Sequence, residues 1–217
     1  MLIRYFLTIR YYPPATSINS IKKRYEADAS YKRDYIAFMN NIIDKCYAQS
    51  TVPSTPAWYV PHHGVYHLKK PGKLRVAFDC TCSAKCNGKS LNDQLLSGPD
   101  LTNSLVAVLT RFRQEKIAVM ADVESMFYQV RVAECHRKFL QFVWWPDGDT
   151  DAEVRDYQMT LHLFGATSSP SCAKFALRKT ANDGEQRFGL IRVGGRLRKS
   201  SLDEGQKHPV ILEFGQA

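Results

Sequence analysis

Apolar residues along the chain fall into three kinds of spacing, and each predicts a different element. From Ser17 the spacing is helical: Tyr35, Phe38, Met39, Ile42, Ile43 and Cys46 mark one side of a helix, and Lys22, Lys23, Arg24, Lys32 and Arg33 take much of the remaining surface. Leu101, Leu105, Val108, Leu109 and Phe112 repeat the pattern and predict a second amphipathic helix packed under a sheet, with Arg111 and Arg113 pointing away. Strand-like segments come next. Val65–His67 and Leu74–Phe78 flank Lys69-Lys70-Pro71-Gly72-Lys73, a turn by its Pro-Gly. Phe139–Trp145 and Arg155–Thr160 predict a pair of strands around the acidic loop Asp147–Glu153, whose carboxylates read as solvated. The third kind is the short continuous run Ile117–Ala121, which predicts a strand buried on both faces and leads straight into Asp122. After it, Glu124–Val130 stops alternating, and Met126, Phe127 and Val130 stand at near-helical spacing.

Between these elements the chain is less regular. Met1–Thr16 has no clear period and contains Pro13-Pro14. Ser50–Pro61 is a connector with Pro53, Pro56 and Pro61, in which Trp58 and Tyr59 are expected to be buried. Cys80–Gly98 is polar and loop-like. In Leu163–Leu177, Gly165 lets backbone come close to a ligand because it has no side chain, and Ser168 and Ser169 can cap a helix starting at Pro170.

Charge sharpens this outline. The formal net charge of +9 is concentrated in residues 1–75, which carry 12 Lys and Arg against 4 Asp and Glu, while residues 76–217 carry 18 against 17. A basic front beside a neutral remainder points to an anionic partner, nucleic acid before membrane. The six cysteines include the cluster Cys80, Cys82 and Cys86, but its spacing is not that of a paired zinc site, and reduced thiols are the expected state. His62, His63 and His67 lack an acidic or thiol companion and read as packing or hydrogen-bonding residues. The apolar run Tyr5–Ile9 is too short for a signal-peptide core or a membrane span, so an intracellular protein, cytoplasmic or nuclear, is expected.

An Asp at the end of a buried strand is costly unless a positive partner meets it, and a divalent metal is the usual one; the competing role is a cap on the following turn. Five blocks in order bear on that choice: VPHHGVYHLKKPGKLRVAFDC, SLNDQLLSGPDL, LTRFRQ, ADVESMFYQV and HLFGATSSPSCAKFAL. Over roughly Ile18 to Phe188 the chain resembles the reverse transcriptase of the Pao (BEL) class of long-terminal-repeat retrotransposon polyproteins. The resemblance implies an α+β fold, a truncated right-hand polymerase with fingers and partial palm. It also implies RNA-directed DNA polymerase ancestry, with RNA template, DNA primer and deoxynucleotide as partners and no membrane. In that family the Asp matching Asp122 binds catalytic Mg2+, with the backbone carbonyl of Val123 beside it. Phe127 matches the aromatic gate against a ribose 2′-hydroxyl. The nucleotide-contacting role falls on Lys73 and Arg75, with Lys69 a further candidate, and Gly165 belongs to the loop lining the nucleotide site.

The resemblance stops near Gly189. Two metal ions need more than one carboxylate, and the family supplies an adjacent pair from a Tyr-x-Asp-Asp hairpin; this sequence has no Asp-Asp. Gly189–Leu212 instead resembles the lead-in to the integrase zinc-binding region of the same polyproteins. The expected organisation is an unassigned N-terminus (1–16), an N-terminal helix and Pro-rich connector (17–60), a partial reverse transcriptase (61–188) and an irregular tail (189–217). The missing palm strand predicts an exposed sheet edge. Three functional expectations follow: an inactive polymerase fragment, a non-catalytic nucleic-acid-binding remnant, or an inert product.

Overall fold

The computed structural model describes residues 15–54, 56–66, 72, 74–82, 89–114, 121–188, 191–192 and 210–211. It is a mixed α and β structure that divides into two compact units, Met1–Gly98 with Met126–Cys172, and Pro99–Ser125 with Ala173–Ala217.

The first unit is built on the basic front of the chain. Its helical stretch is two helices, α1 (Ala15–Ala27) and α2 (Ala29–Asp44), where the sequence reading had one. The break is at Asp28, whose extended backbone and side chain cap α2 by accepting from the N–H groups of Ser30 and Tyr31. Those bonds hold the Asp28 carboxyl below its ordinary range. Tyr31, Tyr35, Met39 and Ile42 form the buried stripe of α2, as the spacing required. After β1 (Ala48–Ser50), the hairpin β2 (His62–Tyr66) and β3 (Leu74–Phe78) pairs from His62↔Phe78 to Tyr66↔Leu74. β2 therefore begins three residues before the sequence reading placed it, because its inward positions are His62 and Gly64 rather than apolar side chains.

Next in the first unit come α3 (Leu91–Gln94), a 3-10 turn over Met126–Gln129, α5 (Glu134–Arg137), β4 (Gln141–Trp144), a second 3-10 turn at Pro146–Gly148, and β5 (Arg155–Met159). β5 lies between β1 and β4, antiparallel to both. The outer strand β1 is short, which limits pairing from that edge. On the β4 side, Gln141 N–H donates to Trp58 O (3.0 Å) and Val60 N–H donates to Gln141 O (2.7 Å), so the connector closes the edge. Tyr59 is buried and Trp58 half-buried. The core between helices and sheet is aromatic: Tyr35 stacks on Trp144 at 5.5 Å and Phe142 on Tyr157 at 5.7 Å, with Phe78 edge-on to Phe142.

Gly64 is the tightest point of that core. A Cβ there would sit 2.7–2.9 Å from the ring and hydroxyl of Tyr31, whose oxygen accepts from Gly64 N–H at 2.9 Å. Tyr31 is buried among the rings of Tyr25, Tyr35 and Tyr66, with centroids 5.5–6.1 Å away, which limits its retreat. Gly64→Ala is expected to lower stability by about 1–3 kcal/mol, read as a shift in the denaturant midpoint with an unchanged slope.

In the second unit, α4 (Leu105–Phe112) carries the expected apolar stripe, but Leu105, Val106, Val108, Leu109 and Phe112 are all exposed, so the burial expected for this helix is not what the structure has. The contacts described between its approach segment and α6 (Ser169–Phe188) are polar instead. Lys174 pairs with Asp100 and meets the Thr102 hydroxyl, and Arg178 donates to Leu101 O (2.9 Å) and Asn103 Oδ1 (3.1 Å). α6 runs well past the Leu177 expected from sequence. Within the tail, which was expected to be irregular, two-residue strands β6 (Ile191–Arg192) and β7 (Val210–Ile211) pair antiparallel. Among the described residues no helix is long and apolar enough to cross a membrane.

Candidate functional site

The residues singled out by sequence fall in three places. The first is the β2–β3 hairpin. Because Tyr66 pairs with Leu74, residues 67–73 connect the two strands. Lys69 and Lys73 lie outside the described residues. Arg75 is described: it is exposed on β3 opposite Val65, while its neighbours Leu74 and Val76 are buried. One face of the hairpin is thus fixed to the core and the other is open to solvent. Its root is held by His62. A carbonyl only accepts, so His62 Nε2–H donates to Val143 O at 3.0 Å, and Nδ1 must then accept from the Tyr35 hydroxyl at 2.6 Å. Burial lowers the His62 pKa to about 4, so the ring is neutral and structural, as the sequence reading had it. His63 is exposed beside it.

The second place is the turn at Leu163–Ser168. Short main-chain pairing sets it beside Met126–Gln129: Val132 N–H donates to Thr160 O (2.8 Å), His162 N–H to Val130 O (3.0 Å), and Arg131 bridges Leu161. Both segments run on past this pairing, and there the rings of Phe127 and Phe164 meet at 5.7 Å, tilted by 53°. Phe127 is half-buried; Phe164 is 77% exposed. Gly165 has φ +103°, and a Cβ on it would lie 3.3 Å from Phe78 O, so both its conformation and its surroundings call for glycine. The sequence reading brought Phe127 and Gly165 to one site, and here they stand on one turn and its neighbour.

That reading missed Asn92. Its side-chain N–H2 donates to Gly165 O and its Oδ1 accepts from Thr167 N–H, both at 2.9 Å, so a single amide ties the two sides of the turn together. Asn92 is in turn fixed by α3. Ser90 and Asp93 form a reciprocal capping box, Leu91 is buried, and Asn92 N–H donates to Cys80 O, two residues past β3. The Ser-x-x-Asp spacing of Ser90 and Asp93 is the signal for a helix within the otherwise loop-like Cys80–Gly98. On the far side, Ser168 and Ser169 are fully buried. Ser168 uses its carbonyl, which accepts from Cys172 N–H at 3.1 Å, and its hydroxyl makes no hydrogen bond among the described residues, contrary to the expected side-chain cap. Ser169 Oγ instead lies 3.3 Å from His162 Nδ1, and burial lowers the His162 pKa to about 4.

The third place is Asp122. Residues 117–120 of the expected strand lie outside the described residues. Ala121, Asp122 and Val123 are described, and they have no regular structure and are exposed. A carboxylate buried at a strand end is therefore not what the structure has: Asp122 is exposed. Asp122 and Val123 also belong to the second compact unit, whereas Phe127, Gly165 and Arg75 belong to the first. Among the described residues no three His, Cys, Asp or Glu side chains converge as metal ligands. Asp122 with the Val123 carbonyl offers one charged donor, which does not fit a pair of Mg2+ ions. The described cysteines are free; Cys80 is buried, and burial pushes its thiol up to about 12, so it is protonated at neutral pH.

No protein-family model matches the chain, and no curated protein matches it.

Proposed function

We propose that this chain is a fragment of reverse-transcriptase ancestry that binds nucleic acid and does not join nucleotides. The observation that carries the reading is the β2–β3 hairpin, rooted in an aromatic core and presenting Arg75 on its open face beside a connection with three lysines. Lysine as a mobile charge and arginine as a planar donor suit phosphate and base, and the ordered sequence blocks support the polymerase lineage. RNA template, DNA primer and deoxynucleotide are the ligands that this lineage proposes.

Polymerisation on this plan would need a second acidic strand to hold two ions, and the sequence has no Asp-Asp to supply it. Incubated with Mg2+, labelled deoxynucleotides and a primed RNA template, the chain is expected to extend no primer. Incorporation that Asp122→Asn abolishes would overturn this half of the proposal.

A further inference from the structure

The alternate residues His62, Gly64 and Tyr66 share one face of β2, and side chains of α2 grip all three. The Tyr35 hydroxyl meets His62 Nδ1 at 2.6 Å, the Tyr31 hydroxyl accepts from Gly64 N–H at 2.9 Å, and Asp34 Oδ2 accepts from the Tyr66 hydroxyl at 3.1 Å. Residues 31, 34 and 35 stand three and four apart, so they lie on one side of α2. Tyr31 and Tyr35 are buried and belong to the core, whereas Asp34 and Tyr66 are half-buried. Their bond falls at the last strand pair, Tyr66↔Leu74, immediately before residues 67–73 connect the strands. The Tyr66 ring also stands edge-on to Tyr31 at 6.1 Å, so ring and hydroxyl are both committed to α2.

Charge alone argues against an acid at this point. Lys32 and Arg33 precede Asp34, and the connection that follows Tyr66 carries Lys69, Lys70 and Lys73. A carboxylate beside such cations lowers their attraction for an anion. Its ion pair with Arg33 offsets little, because the Arg33 side chain is 75% exposed and exposed pairs add little stability. What the carboxylate does supply is direction. A two-stranded hairpin is marginal by itself, and fixing Tyr66 fixes the angle at which the connection leaves the core.

We infer that Asp34 is a positioning residue: through the Tyr66 hydroxyl it aims the lysine-bearing connection and Arg75 at the phosphates of a bound nucleic acid. The inference rests on the nucleic-acid reading above and deepens it. Asp34 touches no ligand, so its effect must depend on its acceptor oxygen and on the hairpin cations rather than on its charge.

The test uses the full chain and a labelled single-stranded oligonucleotide, with fluorescence anisotropy read across a salt series. Asp34→Ala and Asp34→Asn remove the same charge, but only Asn keeps an oxygen that accepts from Tyr66. Asp34→Asn is expected to bind about fivefold more tightly than Asp34→Ala. Tyr66→Phe changes no charge and keeps the ring; it is expected to weaken binding by about fivefold. Adding Asp34→Ala to Tyr66→Phe should cost less than about twofold more, the signature of two residues acting as one unit. With Lys69, Lys70, Lys73 and Arg75 replaced by Gln, Tyr66→Phe should change binding by less than about twofold, because the cations it aims are gone. Equal affinities of Asp34→Ala and Asp34→Asn would reduce Asp34 to its charge and overturn the inference. Unchanged binding in Tyr66→Phe would do the same, as would a fivefold loss that persists in the neutralised hairpin, the mark of a general structural role. Absence of any salt-dependent binding by the wild type would instead remove the nucleic-acid reading, and this inference with it.

Discussion

Lowering the pH from 7 to 5 is expected to cost the folded protein about 4 kcal/mol, through His62 and His162. Both are buried, and burial lowers each pKa from 6.5 to about 4. Above about pH 6.5 both states hold these rings neutral, and the stability is fully present. Between 6.5 and 4 the unfolded chain takes up protons that the folded one refuses, so stability falls by about 1.4 kcal/mol per pH unit for each ring. Below 4 the folded state titrates as well and the loss levels off. His62 has a specific reason to resist: both ring nitrogens are used, Nε2 as donor to Val143 O and Nδ1 as acceptor from Tyr35, and a proton on Nδ1 would oppose the Tyr35 hydroxyl. The carboxyls of Asp28, Asp79, Asp93 and Asp100 are lowered by hydrogen bonds from neighbouring backbone and hydroxyl groups, so their contributions fade at lower pH than this window. His136, also lowered by burial, adds a smaller share. Urea unfolding across pH 4–7 checks the expectation. His62→Gln keeps a donor for Val143 O and an acceptor for Tyr35; it should lower stability at pH 7 yet remove about half of the pH slope. A slope unchanged in His62→Gln and His162→Gln alike would show that other groups control the acid transition. Since a domain of this size has about 5–15 kcal/mol in all, the two rings decide whether it survives mild acid.

Which parts of the fold could be read beforehand follows from where the physics is local. The stripe of α2 and the alternation of Tyr157 and Met159 in β5 announce themselves because their buried positions are apolar and periodic, and β4 does so as a short, mostly apolar run buried at every position. β2 hides its first half because a histidine and a glycine fill the inward positions, and only the three-dimensional partners Tyr31 and Tyr35 make those residues core. The break between α1 and α2 was written in Asp28, a capping residue overridden by the helical spacing on either side of it. Asn92 could not be found this way, since its value lies in reaching a turn more than seventy residues away. Asp122 shows the opposite failure. An apolar run followed by an acid predicts burial, yet the acid is exposed, and its sequence context alone could not reveal that.

Neutralising the hairpin should produce the largest loss of binding. Replacing Lys69, Lys70, Lys73 and Arg75 together by Gln is expected to weaken single-stranded nucleic acid binding by a hundredfold or more at about 0.1 M salt, and to cut the log–log salt slope by about 3, if each contacts one phosphate. The cations of the first helices make the proper control, because several are already engaged. Lys22 donates to Thr150 O and pairs with Asp151, Arg24 lies on the Tyr31 ring, and Arg33 pairs with Asp34. Replacing Lys22, Lys23, Lys32 and Arg33 by Gln removes the same formal charge from α1 and α2 but should change the slope by less than about 1. The two variants have equal net charge, so a general field effect would lower both alike, whereas a phosphate track along the hairpin lowers only the first. Fluorescence anisotropy of a labelled oligonucleotide across a salt series separates the cases. Equal slopes in the two variants would transfer the binding surface from the hairpin to the protein's overall charge.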